Sequence, residues 1–212
     1  MLRSIALGLL AAMLAGDARA QAQPAVPPVV EIASYAGPDR MQRLIAAKER
    51  GAGGGHIRFN MARGSIASHI SQFPVGTYKK AHAHGPGAHV IVLSGEGYSL
   101  MWPEGEEPRR YDWQVGTLIV PPNAWFHQHF NSGPTPARYL AFKHWSPRNA
   151  QGVPMSWIST RIGGTQVDYA DESPRVKDWF ASALAKNGLE PRMSEAYKAE
   201  LPDLPPKRSQ AA

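Results

Sequence analysis

GTYKKAHAHGPGAHVIVLSG, residues 76–95, and GTLIVPPNAWFHQHFN, residues 116–131, are the stretches whose reading decides the fold. Each carries histidines two apart: His82 and His84 in the first, His127 and His129 in the second. On a strand, such residues share a face and rise about 6.6 Å, near enough for both imidazoles to reach one ion at about 2 Å. A third ligand from a neighbouring strand about 4.8 Å away completes a facial set and leaves the opposite positions open to substrate and oxygen.

Around these stretches, from about residue 57 to 145, short apolar runs alternate with turn residues at intervals of roughly ten, the signature of an antiparallel sandwich or barrel. Strands are expected over 66–72, 80–84, 89–93, 98–102, 118–120, 125–130 and 138–143, with tight turns at Gly95-Glu96-Gly97 and Pro103-Glu104-Gly105. Upstream, Pro38 opens a short helix with Met41, Leu44, Ile45 and Lys48 on one face, ended by the glycines at 51 and 53–55. That glycine run lacks a following Lys-Ser/Thr, so it reads as a flexible connector rather than a phosphate loop. Downstream, Ser173-Pro174 caps and opens an amphipathic helix carrying Val176, Trp179, Phe180, Ala183 and Leu184, which Asn187-Gly188 stops. From Pro202 onward the end looks frayed.

The chain has 212 residues, enough for one well-buried domain with extensions. A basic start (Arg3), an apolar stretch from Ile5 to Ala15 and the small-x-small site Ala18-Arg19-Ala20 read as a signal peptide. The division expected is therefore 1–20 signal peptide, 21–37 linker, 38–148 barrel with its N-terminal helix, and 149–212 C-terminal extension. Export to the periplasm or beyond follows, without a membrane anchor, because the apolar run is short and nothing comparable comes after it. Zero cysteines exclude disulfides and thiolate ligands, so a metal must rest on histidine or carboxylate. The formal charge of +6 is scattered rather than blocked, which argues against nucleic acid and for attraction of small anions.

The two stretches together resemble the paired motifs of the cupin superfamily. Gly76, five residues and His82-Ala-His84 match the first motif, which closes at Gly95; Gly116, Pro122-Asn-Ala124, His127 and Asn131 match the second, with Ala124 in place of its usual glycine. The resemblance implies an all-β fold, the cupin double-stranded β-helix or jelly-roll barrel, here with N- and C-terminal helical extensions. The first motif normally carries a metal-binding glutamate where this chain has Ala88. In that respect the chain resembles the gentisate, salicylate and 1-hydroxy-2-naphthoate 1,2-dioxygenases, whose motif also has an alanine there. The resemblance implies that His82, His84 and His127 bind Fe(II) and that His129 acts on substrate by hydrogen bonding or acid–base chemistry. Those enzymes place an arginine for the substrate carboxylate where this chain has Val90, and they are usually built of two cupin units, whereas one fits here.

His89 is a candidate fourth ligand if a bulge at Gly85-Pro86-Gly87 shifts the strand phase. Ala88, Val90 and Trp125, two residues before His127, are expected to line the substrate pocket. Tyr78, Tyr98, Arg138 and Lys143 could meet an anion, and strand phase does not choose among them. His56, His69 and His144 stand alone and read as ordinary histidines. A three-histidine ion keeps its full double charge and favours an anionic substrate held through two oxygens. Three functions are compatible: an Fe(II) dioxygenase acting on a small hydroxylated aromatic or dicarbonyl compound, a non-redox lyase or isomerase using Zn, Ni, Mn or Fe, and a binding barrel without turnover. A homodimer is the family expectation.

Overall fold

The nine strands of the barrel pair as a nested ribbon. They are β1 (Gly55–Phe59), β2 (Ile66–Phe73), β3 (His82–Ala83), β4 (Ala88–Ser94), β5 (Gly97–Trp102), β6 (Arg109–Trp113), β7 (Leu118–Ile119), β8 (Phe126–Asn131) and β9 (Ala137–His144). The structure, a computed structural model, describes residues 51, 54–59, 66–144 and 147–207. The expected signal peptide, the expected linker and the helix expected from Pro38 lie outside the described residues. β2 pairs with β9, β3 with β8, β4 with β7 and β5 with β6, all antiparallel, so each pair encloses the next. Successive pairs fall in opposite sheets, ordered β1-β2-β9-β4-β7 and β3-β8-β5-β6. A ribbon wound in this way is a jelly roll, so the expected all-β double-stranded β-helix is what the pairings build.

Two apolar layers hold it together. Between the sheets lie Phe73, Ala88, Val90, Val92, Met101, Trp113, Ile119, Tyr139 and Ala141. The outer face of the four-stranded sheet carries Tyr78, Tyr98, Leu100 and Phe130, too apolar to face water, and the C-terminal extension covers it. Helix α1 (Pro174–Ala185) buries Val176, Phe180, Ala183 and Leu184 there, and α2 (Ser194–Glu200) brings Tyr197 alongside. Phe130 stacks on Tyr98 and Tyr78 at centroid distances of 4.5 and 4.7 Å, an offset geometry that contributes beyond area burial. With both faces covered, β5 and β8 lose the in-out alternation of a half-solvated strand. Ser173 occupies the cap position of α1, but its side chain makes no capping hydrogen bond.

Two strands and one α-helix were not expected. β6 reads as charged loop because four of its five residues are exposed on an edge strand. β1 begins at Gly55, so the glycine run is in part the entry to a strand. α2 occupies 194–200, short of the residues expected to fray.

Glu172 pins the extension to the barrel. Its carboxylate accepts hydrogen bonds from Tyr78 Oη at 2.7 Å and Gln128 Nε2 at 2.5 Å, and Tyr197 joins through Tyr78 at 2.8 Å. Burial pushes this carboxyl from an ordinary 4.5 up to about 7, against the hydrogen bonds that hold it down. The folded state therefore binds the proton more tightly than the unfolded chain does. That stabilisation is complete below the ordinary carboxylate range and is lost as pH rises through about 7. Glu172→Gln should remove this slope, worth on the order of 2 kcal/mol after allowing for partial solvent screening, as read from denaturant midpoints across the same pH window.

Ala124 is the non-glycine residue with positive φ, 61°, among the described residues. It stands where the second motif usually has glycine, in the turn whose Ala124 N–H donates to the His84 carbonyl at 3.2 Å. A Cβ in the left-handed region is strained, so Ala124→Gly is expected to raise the unfolding free energy by about 0.5–1 kcal/mol in urea titration. No change, or a loss, would contradict the assignment of strain to this turn.

Candidate metal centre

His82 on β3 lies directly opposite His127 on β8, and His84 follows just past the end of β3. The three rings gather with centroids 4.2 Å (82–127), 4.8 Å (84–127) and 5.4 Å (82–84) apart. One ring nitrogen from each lies within 4.8 Å of the others. Nitrogens sharing an ion at about 2.1 Å sit roughly 3 Å apart, a gap that modest ring rotations close. Nδ1 of His82 lies 3.3 Å from the Lys80 carbonyl, and Nδ1 of His127 lies 3.2 Å from the Trp125 carbonyl. A carbonyl only accepts, so in both rings Nδ1 donates and Nε2 keeps its lone pair for a cation. The donor set is neutral nitrogen in a buried position, which suits Fe, Zn, Ni or Cu better than a hard oxygen-seeking ion.

The cluster opens into a cavity of about 60 Å³ between the sheets. Ala88 and Val90 line it and form its apolar wall. His129 lines it too, with Nδ1 2.7 Å from Ser99 Oγ, which also accepts from Trp113 Nε1 at 3.1 Å. Two expectations need correction. His89 is exposed and pairs with Phe142 on the outward face; residues 88–90 alternate buried, exposed, buried, so no bulge turns it inward as a fourth ligand. Trp125 is not among the lining residues; it precedes β8 and packs on the core, with the Arg109 guanidinium 5.8 Å over its ring.

The cavity also recruits residues that sequence reasoning passed over. His56 and His69 line it, so six of the chain's eight histidines face one space. Pairing explains this: His56 lies opposite Ser71, and His69 opposite Ala141, on the inward faces of β1, β2 and β9. Of the four residues offered for an anion, Lys143 reaches the lining. Tyr78 and Tyr98 lie under α1, and Arg138 bonds Gln72 at 2.8 Å. Ser156 and Trp157 of the extension close one side. No aspartate or glutamate appears among the described lining residues.

No family model matches the chain, and no curated protein matches it. Solved structures of oxalate decarboxylase are similar in strand arrangement over part of it. One, from Bacillus subtilis at pH 4.6, is 18% identical over 50% of this chain and 28% of its own, with a TM-score of 0.42. A second, whose Mn(II) centres were characterised by EPR, is 18% identical over 52% and 30%, with a TM-score of 0.43. A third, concerning a switch of reaction specificity, is 19% identical over 45% and 27%, at 0.41. The chain thus spans less than a third of those structures' length.

The geometry separates the three clustered histidines from His89. His127→Ala should weaken binding of one divalent ion by about 100-fold or more, whereas His89→Ala should leave it within roughly threefold, both read by competition with a metal indicator. Equal losses from the two substitutions would exclude this cluster.

Proposed function

We propose that this chain is a metal-dependent enzyme of the cupin type, a mononuclear Fe(II) dioxygenase acting on a small anionic hydroxylated aromatic or dicarbonyl compound. The observation that carries the reading is a buried three-histidine cluster with Ala88 on the cavity wall where a carboxylate ligand would otherwise stand. Bound there, the ion would supply Lewis acidity and an electron path between substrate and O₂.

The chain's own groups do the rest. His82, His84 and His127 hold the ion, and the carbonyls of Lys80 and Trp125 hold two of those rings in orientation. Ala88 and Val90 keep water from that wall. His129, steadied by Ser99, gives or takes a proton at its other ring nitrogen. The reading includes export after cleavage near Gln21 and pairing as a homodimer; N-terminal sequencing of the mature protein and its mass in solution test both.

The Ser99–His129 pair also favours a second reading, a non-redox lyase or isomerase in which the ion polarises a carbonyl and His129 moves the proton. Oxygen decides between them. Fe(II)-loaded protein should consume O₂ with at least one enolisable dicarbonyl or single-ring hydroxy acid, and His129→Gln should lower kcat by about 100-fold with metal content intact. Turnover under nitrogen would favour the second reading, and no uptake across the panel by fully loaded protein would overturn the first.

A further inference from the structure

β6 is the last strand of the four-stranded sheet. It pairs with β5 along its whole length, from Gly97 opposite Trp113 to Met101 opposite Arg109, and no strand among the described residues lies on its other side. Backbone groups of alternate residues therefore point out of the sheet, a template for one more strand. β7, the last strand of the other sheet, follows after the turn at 114–117, so both sheets end close together. Tyr111, Val115, Leu118 and Val120 on these two edges are four of the eight large apolar side chains that stand exposed among the described residues.

Charged side chains commonly blunt an edge against pairing. Here the two central charges have opposite sign. Arg110 and Asp112 lie two apart on the face that carries Tyr98, with Arg110 Nε donating to Asp112 Oδ1 at 2.8 Å and the guanidinium 3.9 Å from the centre of the Tyr98 ring. A two-fold axis perpendicular to a sheet keeps each face on its own side, so a strand pairing with its own copy sets residues of one face opposite each other. Centred on Arg110 or on Asp112, such an axis would bring like charges together. Centred on Tyr111, it sets each Arg110 opposite Asp112 of the second copy, and it is the register that pairs all five residues of β6.

We propose that β6 is a self-complementary docking edge, on which a second copy of this chain pairs its own β6 antiparallel about Tyr111 to join the two four-stranded sheets into one. The inference deepens the homodimer included in the proposed function by assigning its interface. Opposite charges set across the new strand pair fix its register, and the backbone groups of the two edges satisfy each other.

Charge exchange tests this in the full chain by sedimentation equilibrium. Arg110→Asp leaves two carboxylates on that face of β6, and Asp112→Arg leaves two guanidinium groups, so each variant should self-associate about tenfold or more weakly than wild type. Mixed in equal amounts, the two should associate to within about threefold of wild type, because each then meets the opposite charge. Recovery on mixing also shows that both variants are folded, and Asp112, whose side chain is 74% exposed, can be replaced without opening the core. The proposal is overturned if Asp112→Arg dimerises as wild type does, or if two folded variants stay apart when mixed. A wild type of monomer mass at every concentration would overturn both this interface and the homodimer, whereas a dimer indifferent to the exchange would overturn the interface alone. None of these outcomes depends on metal or oxygen consumption.

Discussion

The register of β3 against β8 is the constraint on which the site depends. A slip of one residue would set Ala83 in place of His82 opposite His127 and turn the His82 imidazole outward. Yet β3 is two residues long, too short to hold a register alone. The C-terminal extension holds it from the other edge: Ala83 N–H donates to the Thr165 carbonyl at 2.9 Å, Val167 N–H to the Ala81 carbonyl at 2.9 Å, and His82 bridges Gln166. Upstream, Lys79 N–H donates to the His129 carbonyl at 3.2 Å. The extension is thus part of the site's scaffold, besides covering an apolar face and contributing Ser156 and Trp157 to the cavity wall.

Charge is sorted by the same sheet. The carboxylates of Asp168, Glu172 and Glu200 lie on its outer side, matched to Lys80, Tyr78 and Gln128. The inner side presents imidazoles and two lysines with no carboxylate among the described lining residues.

The barrel was legible because its strands carry apolar runs and its motif residues keep fixed spacing. The seven expected strands and the helix from Pro174 all have counterparts in the structure. What escaped did so for physical reasons. β6 is an exposed edge whose arginines and aspartate hide its pairing with β5. Trp125 shares parity with His127 on paper, but it belongs to the turn before β8, where alternation has not yet begun. Lys79, which lines the cavity, fails the opposite way: strict alternation from His82 sends it outward, and a slip between the His82–His127 and Tyr78–Phe130 pairings brings it in. His56 and His69 acquire meaning only from which strands are neighbours, and pairing partners distant in sequence leave no local signature.

Locating the ion is the most direct test of the central claim, that three imidazoles from two strands share one metal. Anomalous diffraction from crystals loaded with one equivalent of Co(II) or Fe(II) should give a single strong peak about 2.0–2.2 Å from a ring nitrogen of each of His82, His84 and His127. A peak elsewhere, or none at full loading, would contradict the account.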